Sequence, residues 1–461
     1  MVGQAVKIVD VSHHTVDYAY RTPIKFGGVA LDRATLLNAE VTIEGPNGCR
    51  ARGFGSMPLG NVWSFPSKRL HYDQTMEAMR TIADFAAEIY RTSKFAAHPI
   101  RTTMDLEQML FAAGDSVGQD LRLGEPVPHL ATLVAASPFD AALHDAYGKF
   151  FNKPVWHCYG PEFLGEDLSA FLGAEYASIR LDQQLKPLPE PRLPMYHLIG
   201  ALDPLDATEL QKPVGDGLPE TLEEWIPRDG LSHLKIKLNG DDIGWDVNRV
   251  LRIEEIARRA MPIKKVSHWR YSLDFNERVP HEDSLLEFLA KLEELSPEAF
   301  NRIAYIEQPT KRDLKSDKAN TMHRASARIP VVIDESLLDL ETLLLAREMG
   351  YTGAALKACK GQSQSLLMVA AARKHGMFLC VQDLTCPGAS LLHSASLAAW
   401  VKGISAIESN ARQYMPAANL PWAEDFPGIF RIPDGHMATA CLGGVGLAGI
   451  PDWKADAPRS S

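Results

Sequence analysis

Lys235-Ile236-Lys237, Asp274-Phe275-Asn276, Glu307, Asp334-Glu335, Lys357 with Lys360, Asp383 and Glu408 are the residues whose types and spacing suit joint chemistry. They recur at intervals of roughly 25–35 residues, the size of one β–α unit. Each closes a short apolar stretch that reads as a strand. Singly, each has an ordinary explanation. A K-x-K on a strand is usually a solvated edge. An Asp-Glu-Ser is usually a helix start, where Asp and Ser cap the backbone. A Glu-Gln-Pro alone is a turn. The weight lies in their joint occurrence, in order, one motif per strand.

Three carboxylates, Asp274, Glu307 and Asp334, end three successive strands and converge on one point. Buried carboxylates are costly to desolvate unless paired or bound to metal. All-oxygen ligation completed by water and substrate suits Mg²⁺, with Mn²⁺ as a substitute. Zinc is disfavoured, because no His or Cys stands at the matching positions. Lys237 and Lys357 fall on the second and sixth strands, on opposite sides of a closed barrel. Each has a second ammonium nearby, Lys235 and Lys360, and the metal and that neighbour are both expected to lower its pKa. Two such bases permit removal of a proton on one face of a substrate and its return on the other. The metal would hold a substrate carboxylate and stabilise the enediolate. Asp383 and Glu408 either bind a cationic substrate group or neutralise the lysines.

The elements that must position these groups follow from periodicity. Short apolar pieces, PMYHLI, HLKIKL, RYSLDF, IAYIEQP, IPVVIDES, GAALKA, MFLCVQD and ISAIES, alternate with longer amphipathic stretches from Met195 onward. Eight β–α alternations predict a TIM-type barrel. A doubly wound sheet is the rival, but it would carry a ligand fingerprint after its first strand. Upstream, VKIVDVSHHTVDY and LLNAEVTIEG alternate with period two and read as strands. Met76 to about Ala97 reads as a helix, followed by a Gly- and Pro-rich loop to about Pro128. A second helix is predicted to start with Ser137 as N-cap and Pro138 at its first position, with Phe139, Ala142, Leu143, Ala146 and Phe150 on one face. A Pro-rich stretch near 160–192 reads as an insertion or linker. Gly444 to Gly449 form a formal G-x-G-x-x-G, but Pro451 follows and no βαβ unit surrounds it, so it reads as a packing turn. The expected fold is α/β: a modified TIM (β/α) barrel over 131–419, with an N-terminal α+β capping domain over 1–130 on which 420–461 packs.

Composition bounds the rest. The chain has 461 residues, 46% hydrophobic and 23% charged, with a formal net charge of −10, a soluble globular balance. No basic stripe with interleaved aromatics appears, which argues against nucleic acid. No apolar run is long enough for a membrane helix. The start lacks a basic region followed by an apolar core, so no signal peptide is expected. The six cysteines are scattered without a CxxC, which points to a reducing, cytoplasmic setting. The expected partner is a small carboxylate substrate, and a homo-oligomer is compatible with the sequence.

The motif set resembles the enolase superfamily, in particular the muconate-lactonizing-enzyme and dipeptide-epimerase branch of the mandelate racemase/muconate lactonizing enzyme family. That branch has K-x-K, D-x-N, E-Q-P, D-E-S and a strand-six K-x-x-K-x-G, seen here as KIK, DFN, EQP, DES and KACKG. The segment SPFDAALHDAYGKFFNKPV resembles the element that opens the family's barrel domain. The resemblance implies Asp274, Glu307 and Asp334 as metal ligands, and Lys237 and Lys357 as acid/base groups, with Lys235 beside the first. Asn276 and Glu335 would support the site. Two loops of the capping domain, around Arg21–Gly28 and Gly55–Ser64, would close over the substrate. A racemase or epimerase is implied first, and a lyase such as a cycloisomerase, dehydratase or o-succinylbenzoate-synthase-like enzyme second. A non-catalytic binding barrel is disfavoured by the intact triad and lysine pair. The chain departs in three places. The mandelate-racemase His and Asp on strands seven and six are absent. Glu408-Ser409-Asn410 stands where dipeptide epimerases have a D-x-D for a substrate amine. The family's double Gly after strand six is Gly361-Gln362.

Overall fold

The computed structural model describes residues 4–26 and 29–452. Its N-terminal sheet is antiparallel, in the order β1 (Lys7–Phe26), β2 (Val29–Glu44), β3 (Arg50–Pro58). Both stretches of period-two alternation are therefore strands. Three helices follow: α1 (Tyr72–Thr92), α2 (Pro99–Asp120) and α3 (His129–Phe150).

Two expectations need correction here. The loop expected before Pro128 is mostly α2, a helix of 22 residues. Ser137 is no N-cap either, because α3 starts at His129 and carries Ser137 and Pro138 in its interior. An interior proline deprives the carbonyl four residues back of its donor. That carbonyl belongs to Val134, and the Ser137 hydroxyl donates to it at 2.9 Å. The neighbouring side chain thus replaces the missing backbone donor, and the helix runs on.

The second sheet is a closed barrel. Eight parallel strands run in sequence order, β4 (Arg192–Ile199), β5 (His233–Lys237), β6 (Arg270–Asp274), β7 (Ile303–Glu307), β8 (Val331–Ile333), β9 (Gly353–Leu356), β10 (Phe378–Val381) and β11 (Ile407–Glu408). Pairing of β11 with β4 closes it. Helices α4 (Leu222–Asp229), α5 (Ile243–Ala260), α6 (Glu282–Leu295), α7 (Leu340–Glu348), α8 (Gln362–Lys374) and α9 (Ala389–Trp400) lie in the crossovers. This is the modified TIM barrel with an N-terminal antiparallel sheet that the alternation implied.

The expected insertion at 160–192 is ordered short turns, with Phe163, Leu168, Tyr176, Leu181 and Leu185 buried. It is tied to the end of α9 by Lys186 N–H to Trp400 O and Glu190 N–H to Ala399 O, both 2.8 Å. In the tail, β12 (His436–Ala438) pairs antiparallel with β4. The Gly-rich turn packs against α3, where Asp145 accepts Leu447 N–H at 2.8 Å. Among the described residues no helix is long and apolar enough to cross a membrane.

Candidate active site

Side chains alternate along a barrel strand, and every second one points inward. A buried layer of Tyr196, Tyr305, Val332, Ala355, Cys380 and Ala406 fills the barrel centre. One step further toward the strand ends the layer turns polar. Lys237, Asp274 and Glu307 are direct register partners on β5, β6 and β7. Asp334 follows β8 and Lys357 follows β9. All of these are buried, with Asp334 fully so.

The structure brings the predicted charges together as interlocked ion pairs. Lys235 Nζ sits 2.7 Å from Glu307, 2.9 Å from Glu408 and 3.2 Å from Asp274. Lys237 Nζ bonds Asp274 and, at 3.1 Å, Asn276 Oδ1. Asn276 in turn donates its backbone N–H to Asp274 at 2.9 Å. Lys357 Nζ lies 2.9 Å from Asp334 Oδ2, and Lys360 donates to the Asp334 carbonyl at 2.5 Å. Among the described residues no three carboxylate, His or Cys side chains are arranged as a metal cage. The carboxylates are folded onto lysines.

The electrostatics follow from this packing. Burial pushes Glu307 well above its ordinary pKa, and repulsion from Asp274 and Asp334 on either side adds to it. Asp274 and Asp334 go the other way: burial opposes ionisation, but lysines outweigh it, Lys237 and Lys235 for Asp274, Lys357 and Lys360 for Asp334. Lys357 does not show the lowered pKa expected of a base. Burial pulls it down, yet Asp334 and Glu307 hold it above its ordinary value. Lys235 is held up in the same way by Glu307, Glu408 and Asp274.

Asp274, Glu307 and Asp334, buried at neighbouring strand ends, supply the oxygen donors that suit Mg²⁺, and a divalent cation among them would offset the mutual repulsion that raises Glu307.

Asp383 and Glu408 separate. Glu408 is engaged by Lys235 and by Asn410 Nδ2 at 3.3 Å. Asp383 accepts two backbone N–H groups, from Cys386 at 2.7 Å and Asn410 at 2.9 Å, and so ties β10 to the segment after β11. Burial and Glu408 raise its pKa to about 6. Its neighbour Gln382 takes the inward place and donates to Glu307. Period two, counted from Cys380, marks Gln382 rather than Asp383 as the inward residue.

Sequence reasoning also missed Trp63. It lies in a short helical turn, Asn61–Ser64, within the expected 55–64 loop. Its indole covers Lys357 Nζ at 4.5 Å and Lys360 Nζ at 5.7 Å, a cation–π arrangement. Its Nε1 donates to Glu335 at 2.8 Å, and Arg312 donates to its carbonyl at 2.8 Å. Glu335 is raised to about 7, by burial first and by Asp334 and Glu277 next. The other expected loop is strand as far as Phe26, while Gly27 and Gly28 lie outside the described residues. Arg21 lies in that strand, and its guanidinium grips Asp216 with bonds of 2.6 and 2.8 Å and donates to Leu218 O at 3.2 Å. The N-terminal hairpin is thereby clasped to the long segment between β4 and α4.

Comparison with known proteins agrees with this architecture. A family profile described as enolase C-terminal domain-like matches residues 217–452, slightly more than half of the chain. A mandelate racemase/muconate lactonizing protein from Herpetosiphon aurantiacus superposes with a TM-score of 0.63 at 19% identity, over 96% of this chain and 98% of that one. A dipeptide epimerase from Enterococcus faecalis V583, solved with Mg and L-Leu-L-Tyr, gives 0.59 at 16% identity over 96% and 99%. A muconate lactonizing enzyme from Pseudomonas fluorescens, solved with muconolactone, gives 0.60 at 19% identity over 97% of each chain. No curated protein matches in sequence. The closed barrel with its N-terminal sheet and the match over residues 217–452 place the chain in the enolase superfamily, in the mandelate racemase/muconate lactonizing enzyme family.

Proposed function

We propose that the chain is a Mg²⁺-dependent racemase or epimerase that moves the proton on the carbon next to a substrate carboxylate, with Lys237 and Lys357 as the two bases. The observation that carries this reading is their placement. They end the second and sixth of eight strands, half the barrel circumference apart, and both join one polar layer with Asp274, Glu307 and Asp334. A substrate lying across that layer meets one lysine on each face. The three carboxylates would hold the metal, whose charge, when bound, offsets the negative charge that builds on the substrate carboxylate.

The chain's own residues then account for proton transfer. In the ion-paired state Lys357 is kept protonated by Asp334 and Glu307. Once those carboxylates are engaged elsewhere, burial is what remains, and burial favours the neutral amine. Lys237 forms its ion pair with Asp274. Asn276 fixes the Lys237 ammonium, and Trp63 covers Lys357 and excludes water.

The state of Glu408 and Asp383 bears on substrate class. One is taken by Lys235 and the other by backbone N–H groups, so neither is offered to a substrate ammonium. This favours carboxylates without a free amine, such as N-acyl amino acids or sugar acids, over dipeptides.

The test is exchange of the α-proton with solvent deuterium, with and without Mg²⁺, across N-acyl amino acids, dipeptides and sugar acids. Exchange should need Mg²⁺. Lys237→Ala and Lys357→Ala should each lower turnover by roughly 10²–10⁴, the worth of a positioned acid or base. Unchanged turnover in either variant removes that lysine from the mechanism. Release of water, ring opening or ring closure in place of epimerisation selects the lyase reading.

A further inference from the structure

We propose that Asp140, on α3, is a positioning residue that sets the place of Lys357 from behind the barrel wall. The inference rests on the reading of Lys357 as one of the two bases.

Lys357 is followed by a single tight turn, Ala358–Lys360, then by Gly361 and the start of α8. That turn carries Lys357 and Lys360 to Asp334 together. What holds the turn comes from α3. Asp140 Oδ2 accepts the backbone N–H of Ser363 at 2.8 Å, in the first turn of α8. Asp140 Oδ1 accepts the Ser363 hydroxyl at 2.8 Å and the Thr103 hydroxyl at 2.8 Å. The Ser363 oxygen is 2.9 Å from His144 Nε2, and His144 Nδ1 is 2.9 Å from the Tyr159 hydroxyl. One consistent proton order runs through this chain: Tyr159 O–H to His144 Nδ1, His144 Nε2–H to Ser363 Oγ, Ser363 O–H to Asp140. Asp140, His144 and Ser363 are all buried.

On the other side of the turn, Ser365 Oγ donates to the Lys357 carbonyl at 3.1 Å. The first turn of α8 therefore links Asp140 to the Lys357 backbone through Ser363 and Ser365. Gly361 has φ +108, and a Cβ there would lie 3.2 Å from Asp140 Oδ2, so the turn lies close against the carboxylate. A carboxylate that bonds three donors is strong and directional. Losing it frees the Lys357 turn without touching Lys237, which stands on β5 with partners of its own.

The experiment compares wild-type protein with Asp140→Asn and with the milder Ser363→Ala, which keeps the Ser363 backbone donor. Two readouts need no substrate: reductive methylation of individual lysines and amide hydrogen exchange, both resolved by mass spectrometry. Asp140→Asn should speed methylation of Lys357 and Lys360 and exchange across 358–366 by roughly tenfold or more, the worth of a lost charged hydrogen bond, with Lys237 unchanged. Ser363→Ala should act in the same places more weakly. Equal rises at Lys237 and Lys357, or no rise at Lys357 in both variants, overturn the proposal. On a substrate found by deuterium exchange, Asp140→Asn should slow exchange from the enantiomer served by Lys357 more than from its mirror image. Equal slowing of both enantiomers also overturns it. If the wild type exchanges only one enantiomer, the two-base reading fails, while the methylation contrast still decides what Asp140 does.

Discussion

Trp63 shows what a single side chain can do between two units. Its ring lies over two ammoniums, its N–H meets a buried carboxyl, and its carbonyl is held by Arg312, itself paired with Glu277 at 2.5 Å. These contacts can be separated. Trp63→Phe keeps an aromatic face over Lys357 but strips the donor from Glu335, whose second oxygen already lacks a hydrogen-bond partner. An unsatisfied buried polar group costs about 1–3 kcal/mol. Trp63→Phe should lower unfolding stability by that amount in denaturant titration. Trp63→Ala should lose about 3–5 kcal/mol, since it also leaves a cavity and removes the cation–π contact. A Phe variant as stable as wild type would show that the Glu335 bond contributes nothing. At this scale the sequence was informative where residue type announced the chemistry. Lysines and carboxylates at strand ends are costly unless used together, so their spacing exposed them. Trp63 carried no such mark. Its role depends on how the cap docks on the barrel, which no local pattern encodes.

Elements were legible in proportion to how well their apolar stripe survived. The eight barrel strands stood out because turn residues and amphipathic stretches bracket each one. Helix α2 did not, although Leu106, Leu110, Gly114 and Val117 fall on one buried face. Gly114 belongs to that stripe for lack of a side chain: a Cβ there would meet Thr132 Oγ1 at 2.3 Å, so α2 approaches α3 closely at this point. A glycine that permits helix contact reads, in sequence, as a loop signal. Helix α3 hid its first two turns for a related reason, because Ser137-Pro138 imitates a helix start. The Ser137 hydroxyl bond to Val134 O predicts a specific double-mutant cycle. Ser137→Ala should cost about 1–2 kcal/mol, because the Val134 carbonyl is left unpaired inside a buried helix. With Pro138→Ala also present, the restored backbone N–H should bond Val134, and the Ser137→Ala penalty should fall close to zero. Equal penalties in the two backgrounds, measured by thermal or chemical unfolding, would mean that the hydroxyl does not stand in for the backbone donor.

At the scale of the whole molecule, the N-terminal unit and the barrel are joined by buried polar groups as well as by apolar packing. His98 joins α2, α3 and the segment that leads from α3 toward the barrel. Its ring lies edge-on to Tyr147 at 4.8 Å and near Tyr159 at 5.8 Å. Its Nδ1 accepts Ile100 N–H at the start of α2, so its Nε2 carries the proton that reaches the Cys158 carbonyl at 3.0 Å. This pairing fixes the ring as neutral, and a second proton would displace the Ile100 bond. Burial, then the adjacent His144, lowers its pKa to about 3 from an ordinary 6.5. Below pH 6.5 the unfolded chain therefore binds a proton that the folded chain refuses, and stability falls as pH drops toward 3. Raised carboxyls such as Glu107, at about 7 through burial and Asp339, act in the opposite sense, because the folded state takes up their protons first. The contribution of His98 is thus isolated best as a difference. His98→Asn keeps a side-chain acceptor for Ile100 N–H and cannot titrate. At pH 7 the variant should be the less stable protein, since the smaller side chain leaves part of the aromatic box empty. As pH falls below 6.5, the wild type should lose its advantage by about 1.4 kcal/mol per pH unit, the full slope for one proton excluded from the folded state. Denaturant unfolding of both proteins at pH 7, 6, 5 and 4.5 measures this directly. A gap between them that stays constant over that range would mean that His98 takes up its proton in the folded protein and that the joint between α2, α3 and the segment leading to the barrel tolerates the charge.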